Sequence, residues 1–263
     1  MSATIAISNQ KGGVAKTTTC LSLGAALAEM GHSVLMVDLD PQANLTLSLG
    51  LKPEELRRTV LDALMGHSTL VGVSQETEIS YLDIVPANYE LALADKVLYK
   101  LAGFQFRLHS AIQKLHPGMY NYVLLDCPPA LAPLTLNALA AADLLLIPVQ
   151  CELYAAQSLR RMIRLATQMR QQYNPNLDYR VLVTMYDQRN KISQMILDQL
   201  QNGKGYVLFK TIIQIDTKLR ESPAFGRPIT TYASRSRSAE QYRALAQELT
   251  SPEIDRLLRR RES

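Results

Sequence analysis

Tryptophan is absent from this chain of 263 residues, and cysteine and histidine are scarce. The three cysteines, Cys20, Cys127 and Cys151, are widely spaced and form no C-x-x-C pair. The sequence therefore predicts neither a disulfide framework nor a zinc or iron–sulfur site. The four histidines show no ligand spacing, and the scattered tyrosines offer no platform on which bases would stack.

Long apolar runs are missing as well. No stretch of eighteen apolar residues occurs, and the N-terminus leads directly into a predicted strand. We therefore expect neither a membrane-spanning helix nor a signal peptide, and we expect the protein to be cytoplasmic. A chain of this length that is 47% hydrophobic is long enough for one well-filled α/β domain, which we expect to span residues 1–263.

Apolar runs alternate with amphipathic stretches along the chain. The runs 123–125 and 144–149 are apolar on both faces, which is typical of strands in a buried parallel sheet. This alternation predicts a three-layer, doubly wound, mostly parallel α/β fold. Strands are predicted near residues 4–8, 33–38, 82–86, 121–126, 143–149, 180–185 and 209–213. Helices are predicted near 16–30, 53–65, 89–100, 104–115, 132–141, 155–173, 191–200, 217–221 and 237–249.

A glycine-containing segment follows the first predicted strand. Residues 9–18 read NQKGGVAKTT and precede an alanine- and leucine-rich helix. Gly12 and Gly13 have no Cβ, so backbone N–H groups are free to curl around an oxyanion. The helix that starts near Lys16 directs the positive end of its dipole at the same place. The segment therefore predicts a phosphate-binding loop.

This loop departs from the strict pattern G-x-x-x-x-G-K-[ST], because Gln10 and Ala15 stand where the pattern has glycine. It matches the deviant form K-G-G-x-x-K-T, in which Lys11 is an additional lysine. Lys16 is predicted to reach the β- and γ-phosphates, and the Thr17 hydroxyl to bind Mg²⁺. One phosphate pocket uses one lysine directly, so Lys11 is best used in trans, on the phosphates of a second subunit. ATP would then join two subunits.

Two further apolar runs end in carboxylates. Residues 34–42 read VLMVDLDPQ, and residues 122–129 read YVLLDCPP. A strand period of two puts Asp38 and Asp40 on one side, at the sheet edge where an open parallel sheet binds ligands. Asp126 follows four apolar residues in the Walker B form, which delivers a carboxylate to the Mg²⁺ shell.

Taken together, KGGVAKTTT, VDLDPQAN and LLDCPPAL resemble the ParA/Soj branch of the ParA/MinD superfamily of deviant-Walker, P-loop ATPases. Segments 184–187 (TMYD) and 219–223 (LRESP) are also similar to that family. The resemblance implies a slow, Mg²⁺-dependent ATP hydrolase that positions a plasmid or chromosome and is stimulated by a ParB-like partner. It implies catalytic roles for Lys11, Lys16 and Asp40, with Asp40 orienting the attacking water. The implied ATP-binding residues are Lys11, Gly12, Gly13, Val14, Ala15, Lys16, Thr17, Thr18, Asp38, Met185 and Asp216, and the implied Mg²⁺ residues are Thr17, Asp40 and Asp126.

One segment departs from the family pattern. Gln214 stands where many relatives carry proline, in a segment that lies near the adenine in the family, so the resemblance specifies the adenine contacts less well than the phosphate contacts. The lack of clustered cysteines argues against the related nitrogenase-reductase-like and metal-carrier ATPases.

Basic residues are concentrated late in the chain. Residues 180–263 contain 15 Lys/Arg and 9 Asp/Glu, whereas residues 1–179 contain 13 and 15. This asymmetry favours a polyanion partner, and the resemblance implies non-specific binding of DNA on the nucleoid by the ATP-bound homodimer. The predicted DNA-binding residues are Arg189, Lys218, Arg220, Arg235 and Arg237.

Three alternatives stay open at this point. The same ATPase cycle would serve a non-DNA cargo such as a carboxysome or a chemoreceptor array. A MinD-like membrane ATPase would use residues 254–261 as an amphipathic tail, although the segment has few apolar residues and a solvated helix end is the favoured interpretation. A DNA-binding scaffold with little catalysis is disfavoured by the intact Thr17, Asp40 and Asp126.

Overall fold

A computed structural model describes residues 2–203 and 205–258. The strands are β1 (Ala3–Ile7), β2 (Val34–Asp38), β3 (Gln75–Glu76), β4 (Leu82–Val85), β5 (Tyr122–Asp126), β6 (Leu144–Gln150), β7 (Asp178–Tyr186) and β8 (Leu208–Gln214). Within the described residues they form one sheet in the order β3-β4-β2-β5-β1-β6-β7-β8. Every neighbouring pair is parallel except β3 with β4. The predicted mostly parallel α/β fold is confirmed.

Helices connect the strands on both faces of the sheet. They are α1 (Lys16–Glu29), α2 (Asn44–Leu47), α3 (Val60–Met65), α4 (Leu70–Val73), α5 (Ala94–Leu98), α6 (Arg107–Ile112), α7 (Pro133–Ala141), α8 (Ala155–Gln172), α9 (Lys191–Asn202), α10 (Thr217–Glu221), α11 (Ile229–Tyr232), α12 (Arg237–Leu249) and α13 (Pro252–Leu258). Short 3₁₀ turns lie at Pro53–Glu55, Tyr89–Leu93, Phe104–Phe106 and Ser222–Phe225.

The core lies in two layers, one on each face of the sheet. Because side chains alternate along a strand, Leu35 and Val37 of β2 face one layer and Val34 and Met36 face the other. The first layer is completed by α3, α6, α7, α8 and α9, and the second by α1, α12 and α13. Both faces are apolar and covered, as a central parallel sheet requires.

The predicted elements are present, but three of the predicted helices are divided. The segments 53–65, 89–100 and 104–115 each begin as a 3₁₀ turn and continue as a shorter α-helix. The sequence reading missed β3, α2, α4 and α11, none of which exceeds four residues. Such short elements carry too few residues for a periodic pattern to show.

The C-terminal segment is packed rather than solvated. Helix α13 buries Ile254, Leu257 and Leu258 in the layer that contains α1 and α12. The prediction of a solvated helix end is therefore wrong for these three side chains, although residues 259–261 of that segment lie outside the described residues. Among the described helices, none is both long and apolar enough to cross a bilayer.

Candidate active site

The central strands bring the predicted motifs to one edge of the sheet. In the parallel register, Ile7 of β1 and Asp38 of β2 both stand opposite Asp126 of β5. The chain therefore leaves these three strands at the same level. The phosphate loop follows β1 directly, so it starts at the same edge of the sheet as Asp38 and Asp126.

The phosphate loop contains two residues in the left-handed region. Gly13 has φ 73°, and Ala15, just before α1, has φ 66°. A Cβ placed at Gly12 or Gly13 would meet no atom within 4 Å, so this stretch of backbone faces open space. An alanine in this conformation costs about 1 kcal/mol. The strain at Ala15 is the physical consequence of its replacing the usual glycine.

A cavity of about 650 Å³ opens beside the loop. Lys16 is only 8% exposed there, and its Nζ donates one hydrogen bond of 3.3 Å, to the carbonyl oxygen of Lys11. Burial lowers the pKa of Lys16, against the opposing charges of Asp126 and Asp40. A buried ammonium whose only hydrogen bond within the described residues is this long is poised to bind an anion. The cavity is lined by Gly12, Gly13, Ala15, Lys16, Thr17, Thr18, Asp40, Gln42, Asn44, Leu47, Ser48, Pro129, Met185, Pro223 and Ala224.

Asp126 is fully buried beneath this cavity. Within the described residues, neither of its carboxylate oxygens has a hydrogen-bond partner. Burial and the charge of Asp38 raise the pKa of Asp126 well above its usual range, while the nearby Thr17 hydroxyl and the Lys16 ammonium oppose the shift. A buried carboxylate normally has a partner, because an isolated buried charge is costly. Together with the Thr17 hydroxyl and the Asp40 carboxylate, Asp126 supplies the oxygen donors that Mg²⁺ prefers, so these residues fit the ion.

Asp40 and Asp38 occupy different environments. Asp40 lines the cavity, and its Oδ1 accepts a hydrogen bond of 2.9 Å from the Gln42 backbone N–H. Asp38 is fully buried and accepts hydrogen bonds from the Asp40 N–H (3.1 Å), the Thr46 N–H (3.0 Å) and the Thr46 hydroxyl (2.7 Å). Burial raises the pKa of Asp38 to about 6, against the hydrogen bonds from Thr46.

That Asp38 binds nucleotide stays a prediction. Its carboxylate accepts three hydrogen bonds from the protein, and Asp38 does not line the cavity. The Thr46 Oγ1 that it binds also accepts a hydrogen bond of 3.0 Å from the Ala87 N–H. Asp38 therefore fixes the loop that carries Asp40.

A second cavity, of about 220 Å³, adjoins the first. Met185 lines both cavities and has φ 51°, and its sulfur contacts the side-chain amide of Gln150, which also donates to the Gly13 carbonyl (3.2 Å). Asp216 lines the second cavity, where it accepts from the Lys218 N–H (3.0 Å). The structure thus brings the predicted residues Ala15, Thr18, Met185 and Asp216 together, whereas Val14 is buried and contributes its carbonyl to a hydrogen bond from the Thr184 hydroxyl (3.1 Å).

Lys11 does not line either cavity. Its Nζ forms an ion pair with Glu152, in the segment after β6, and its backbone N–H donates to Asn9 Oδ1 (3.0 Å). The side chains of Lys11 and Glu152 are 40% and 56% exposed. Within this protomer, the additional lysine is therefore held at the surface and away from the phosphate site.

The five predicted DNA-binding residues are all exposed, but they differ in their contacts. Arg189 makes two hydrogen bonds of 3.0 Å to Asp187, and Arg237 donates to the Ile215 carbonyl (2.6 Å). Both arginines line a cavity of about 240 Å³. Lys218 and Arg220 lie on α10, and Arg235 precedes α12, so the predicted set is spread over the C-terminal end of β7, α10 and the start of α12.

Several cavity-lining residues were not predicted. Gln42 and Asn44 lie in the VDLDPQAN segment, and that position was the only signal for them. Pro223 belongs to the LRESP segment, whose family likeness gave it no role. Leu47 is the last residue of α2 and Ser48 comes directly after it, and α2 is too short to be recognised in the sequence.

A phosphate loop between the central strand of a parallel sheet and its following helix, with strand-end carboxylates beside it, defines a P-loop nucleotide-binding protein. A family described as AAA domain matches residues 2–179. The chromosome partitioning protein ParA of Caulobacter vibrioides is 39% identical over 96% of this chain and 95% of that protein. The sporulation initiation inhibitor protein Soj of Bacillus subtilis is 38% identical over 94% and 98%.

Among solved structures, cobyrinic acid a,c-diamide synthase from Mycobacterium smegmatis with bound ATP analog and magnesium matches with a TM-score of 0.83. It is 35% identical and covers 100% of this chain and 97% of that chain. The chain belongs to the ParA/Soj family, and it is a ParA-type positioning ATPase that uses ATP and Mg²⁺.

Proposed function

We propose that this protein forms an ATP-sandwich homodimer, binds DNA without sequence preference, and moves a plasmid or chromosome as a partner protein of ParB type stimulates hydrolysis. The observation that carries the proposal is a buried Lys16 with one long hydrogen bond beside a buried Asp126 whose oxygens accept no hydrogen bond within the described residues. Their opposite charges act on each other, but each group keeps hydrogen-bonding capacity that a nucleotide and its metal ion would use. One domain over residues 1–263 remains our prediction, and the single sheet supports it.

Each residue has a distinct task in this proposal. The Lys16 ammonium and the N–H groups of Gly12 and Gly13 bind the phosphates, and burial strengthens these contacts. Thr17 and Asp126 hold Mg²⁺, which neutralises charge on the phosphate oxygens when bound. Asp40, fixed by the Asp38 network, orients the attacking water. The cavity around Met185 and Asp216 receives the base.

Lys11 acts in trans and must first leave Glu152. An ion pair between side chains this exposed contributes at most about 1 kcal/mol, so breaking it costs little. A triphosphate held by a second subunit offers a stronger counter-charge than one carboxylate. ATP binding in one protomer therefore recruits the Lys11 amine of the other.

The variant Lys11→Ala tests the dimer. We expect ATP binding to stay within about threefold, because Lys11 does not line the cavity, while the ATP-dependent dimer is lost in light scattering coupled to size exclusion. Lys52→Ala is the matched control, since Lys52 is an exposed lysine that pairs with Glu55 at 2.7 Å. A dimer that persists in Lys11→Ala would show that this amine is not the link between subunits.

DNA binding is assigned to the exposed basic residues of α10 and the start of α12. Lys218 and Arg235 form no salt bridge within the described residues, so their charges are available to phosphates. In Lys218→Glu/Arg235→Glu, we expect DNA affinity to fall at least about tenfold and the salt dependence to become shallower by about two phosphate contacts per protomer. Fluorescence anisotropy with ATP present measures both.

The control for this variant is Arg57→Glu/Arg58→Glu, which reverses two exposed arginines just before α3. Equal DNA affinity in the two variants would leave the assignment without support and favour a cargo other than DNA. The membrane alternative is disfavoured by the described part of the tail, since Ile254, Leu257 and Leu258 are buried in the core and not available to lipid.

A further inference from the structure

Helix α8 carries charge of one sign. Its 18 residues include Arg160, Arg161, Arg164 and Arg170 and contain neither aspartate nor glutamate. Arg170 is engaged locally, because it donates to the Leu177 carbonyl (2.7 Å) and pairs with Asp178 (3.3 Å). The other three arginines are exposed and make no salt bridge in the part of the chain that the structure describes. We name Arg160, Arg161 and Arg164 the α8 arginine face.

The helix presents this face on a fixed scaffold. Spacings of three and four residues put Arg160, Arg161 and Arg164 on one side of the helix. The opposite side buries Leu159, Met162, Leu165, Ala166 and Met169 in the core. Three guanidinium groups therefore stand within about one helical turn, with no carboxylate on the helix to neutralise them.

Two apolar side chains stand at the N-terminal end of α8. Leu153 and Tyr154 immediately precede α8 and are 76% and 69% exposed. Nucleic acid would satisfy the arginines with phosphates, but its backbone offers nothing apolar to cover Leu153. A protein segment with carboxylates and an apolar anchor complements both features, because interface cores bury aromatic and aliphatic side chains beside charged rims.

The same helix is hydrogen-bonded to the phosphate loop. The Ser158 hydroxyl, on α8, donates to Asn9 Oδ1 at 2.9 Å, and the same oxygen accepts the Lys11 backbone N–H at 3.0 Å. Asn9 is buried, and its Nδ2 donates to the Pro148 carbonyl at 2.7 Å. A shift of α8 would therefore be transmitted to the residue that carries the additional lysine.

We propose that the α8 arginine face, with Leu153 and Tyr154, docks an acidic segment of a partner protein, and that this docking changes ATP turnover through Ser158 and Asn9. The proposal rests on the partner-stimulated cycle proposed above and names the surface and the chemistry of that partner. The face lies across the sheet from α12, since α8 and α12 pack in different core layers, so it is separate from Arg235 and Arg237.

Binding is tested with the full chain in ATP and Mg²⁺. The probes are a short fluorescent peptide with glutamates and two leucines, the same peptide with lysine for glutamate, and a DNA duplex. We expect the acidic peptide to bind, the lysine peptide not to bind, and Arg160→Glu/Arg164→Glu to weaken the acidic peptide at least about tenfold. Arg57→Glu/Arg58→Glu is the matched control and should bind the peptide as wild type does.

Three outcomes would overturn the proposal. If Arg160→Glu/Arg164→Glu weakens DNA and leaves the peptide unchanged, the face binds nucleic acid. If it abolishes the ATP-dependent dimer, the occupant is a second copy of the chain. If the peptide fails to bind wild type, or binds all variants equally, the face is only solvated charge. The peptide and DNA measurements do not require Lys11, and Lys11→Ala tests the dimer on its own, so failure here is distinguishable from failure of the proposed dimer.

The coupling step has its own measurement. In Ser158→Ala, the peptide should bind normally but no longer change the rate of phosphate release, whereas Ser158→Thr keeps a hydroxyl and should retain the response. A wild-type response in Ser158→Ala would show that the signal does not pass through this hydrogen bond.

Discussion

Replacing Asp126 with asparagine is expected to stabilise the nucleotide-free protein while abolishing the effect of Mg²⁺ on ATP binding. The carboxylate is fully buried, and neither oxygen has a partner in the described residues, so its burial opposes folding. Because burial raises the pKa of Asp126, this carboxyl costs folding free energy at neutral pH that an amide does not, so the free energy of unfolding is expected to rise by about 1–3 kcal/mol. Urea denaturation without nucleotide measures this gain.

The matched control is Asp143→Asn. Asp143 is also a buried aspartate at the sheet, but its carboxylate accepts the Thr4 backbone N–H at 2.8 Å. Asparagine keeps an oxygen for that hydrogen bond but loses the charge that strengthens it, so the stability is expected to fall. If Asp126→Asn were destabilising as well, the Asp126 carboxylate would have a partner in the free protein and would not be reserved for a cation.

ATP affinity supplies the second half of the test. In wild type, Mg²⁺ should tighten ATP binding, because Thr17, Asp40 and Asp126 present oxygen donors to it. In Asp126→Asn, we expect the affinity with Mg²⁺ to fall about a hundredfold, to the value that wild type shows in chelator. Unchanged Mg²⁺ dependence would remove Asp126 from the metal site.

The sequence predicted those parts of the site that depend on short segments. Gly12, Gly13 and Lys16 act within one strand–loop–helix unit, so their pattern suffices to place them together. Asp126 could be added because parallel strands end at one edge of the sheet, and the register opposite Ile7 and Asp38 bears this out.

The period-two argument does not extend as far as Asp40. Strand β2 ends at Asp38, and the Leu39 N–H still bonds to the Asp126 carbonyl (2.9 Å) before the chain turns. Asp40 therefore lies beyond the strand, where alternation no longer sets its direction. The burial of Asp38 depends on a hydrogen bond from Thr46. Thr46 lies in α2, a helix of four residues that is too short to be predicted from a periodic pattern.

Long-range contacts could not be predicted either. Lys11 pairs with Glu152, which is 141 positions away, and no local rule joins the two. The net charge of residues 1–179 did not reveal the arginines of α8, because that part of the chain contains more acidic than basic residues. The predicted helix 155–173 contains no aspartate or glutamate, but only the fold shows that Arg160, Arg161 and Arg164 are exposed and without a salt bridge in the described residues.

Asp40 is expected to separate ATP binding from hydrolysis. In Asp40→Ala, we expect ATP binding to persist and phosphate release, measured with DNA and any activating partner, to fall about a hundredfold to a thousandfold, since a residue that orients the attacking water is lost. ATP-bound dimer should accumulate, because the step that ends it is blocked. A single sample of this variant would then show both the predicted dimer and the slow hydrolysis of ATP.

Alanine at this position also removes a structural contact, since Asp40 Oδ1 accepts the Gln42 N–H at 2.9 Å. Asp40→Asn keeps an oxygen for that hydrogen bond and loses the charge. If the two variants hydrolyse ATP equally slowly, the missing function is the carboxylate itself. If Asp40→Asn retains the wild-type rate, Asp40 acts through the loop alone, and the attacking water must be oriented by another group of the cavity.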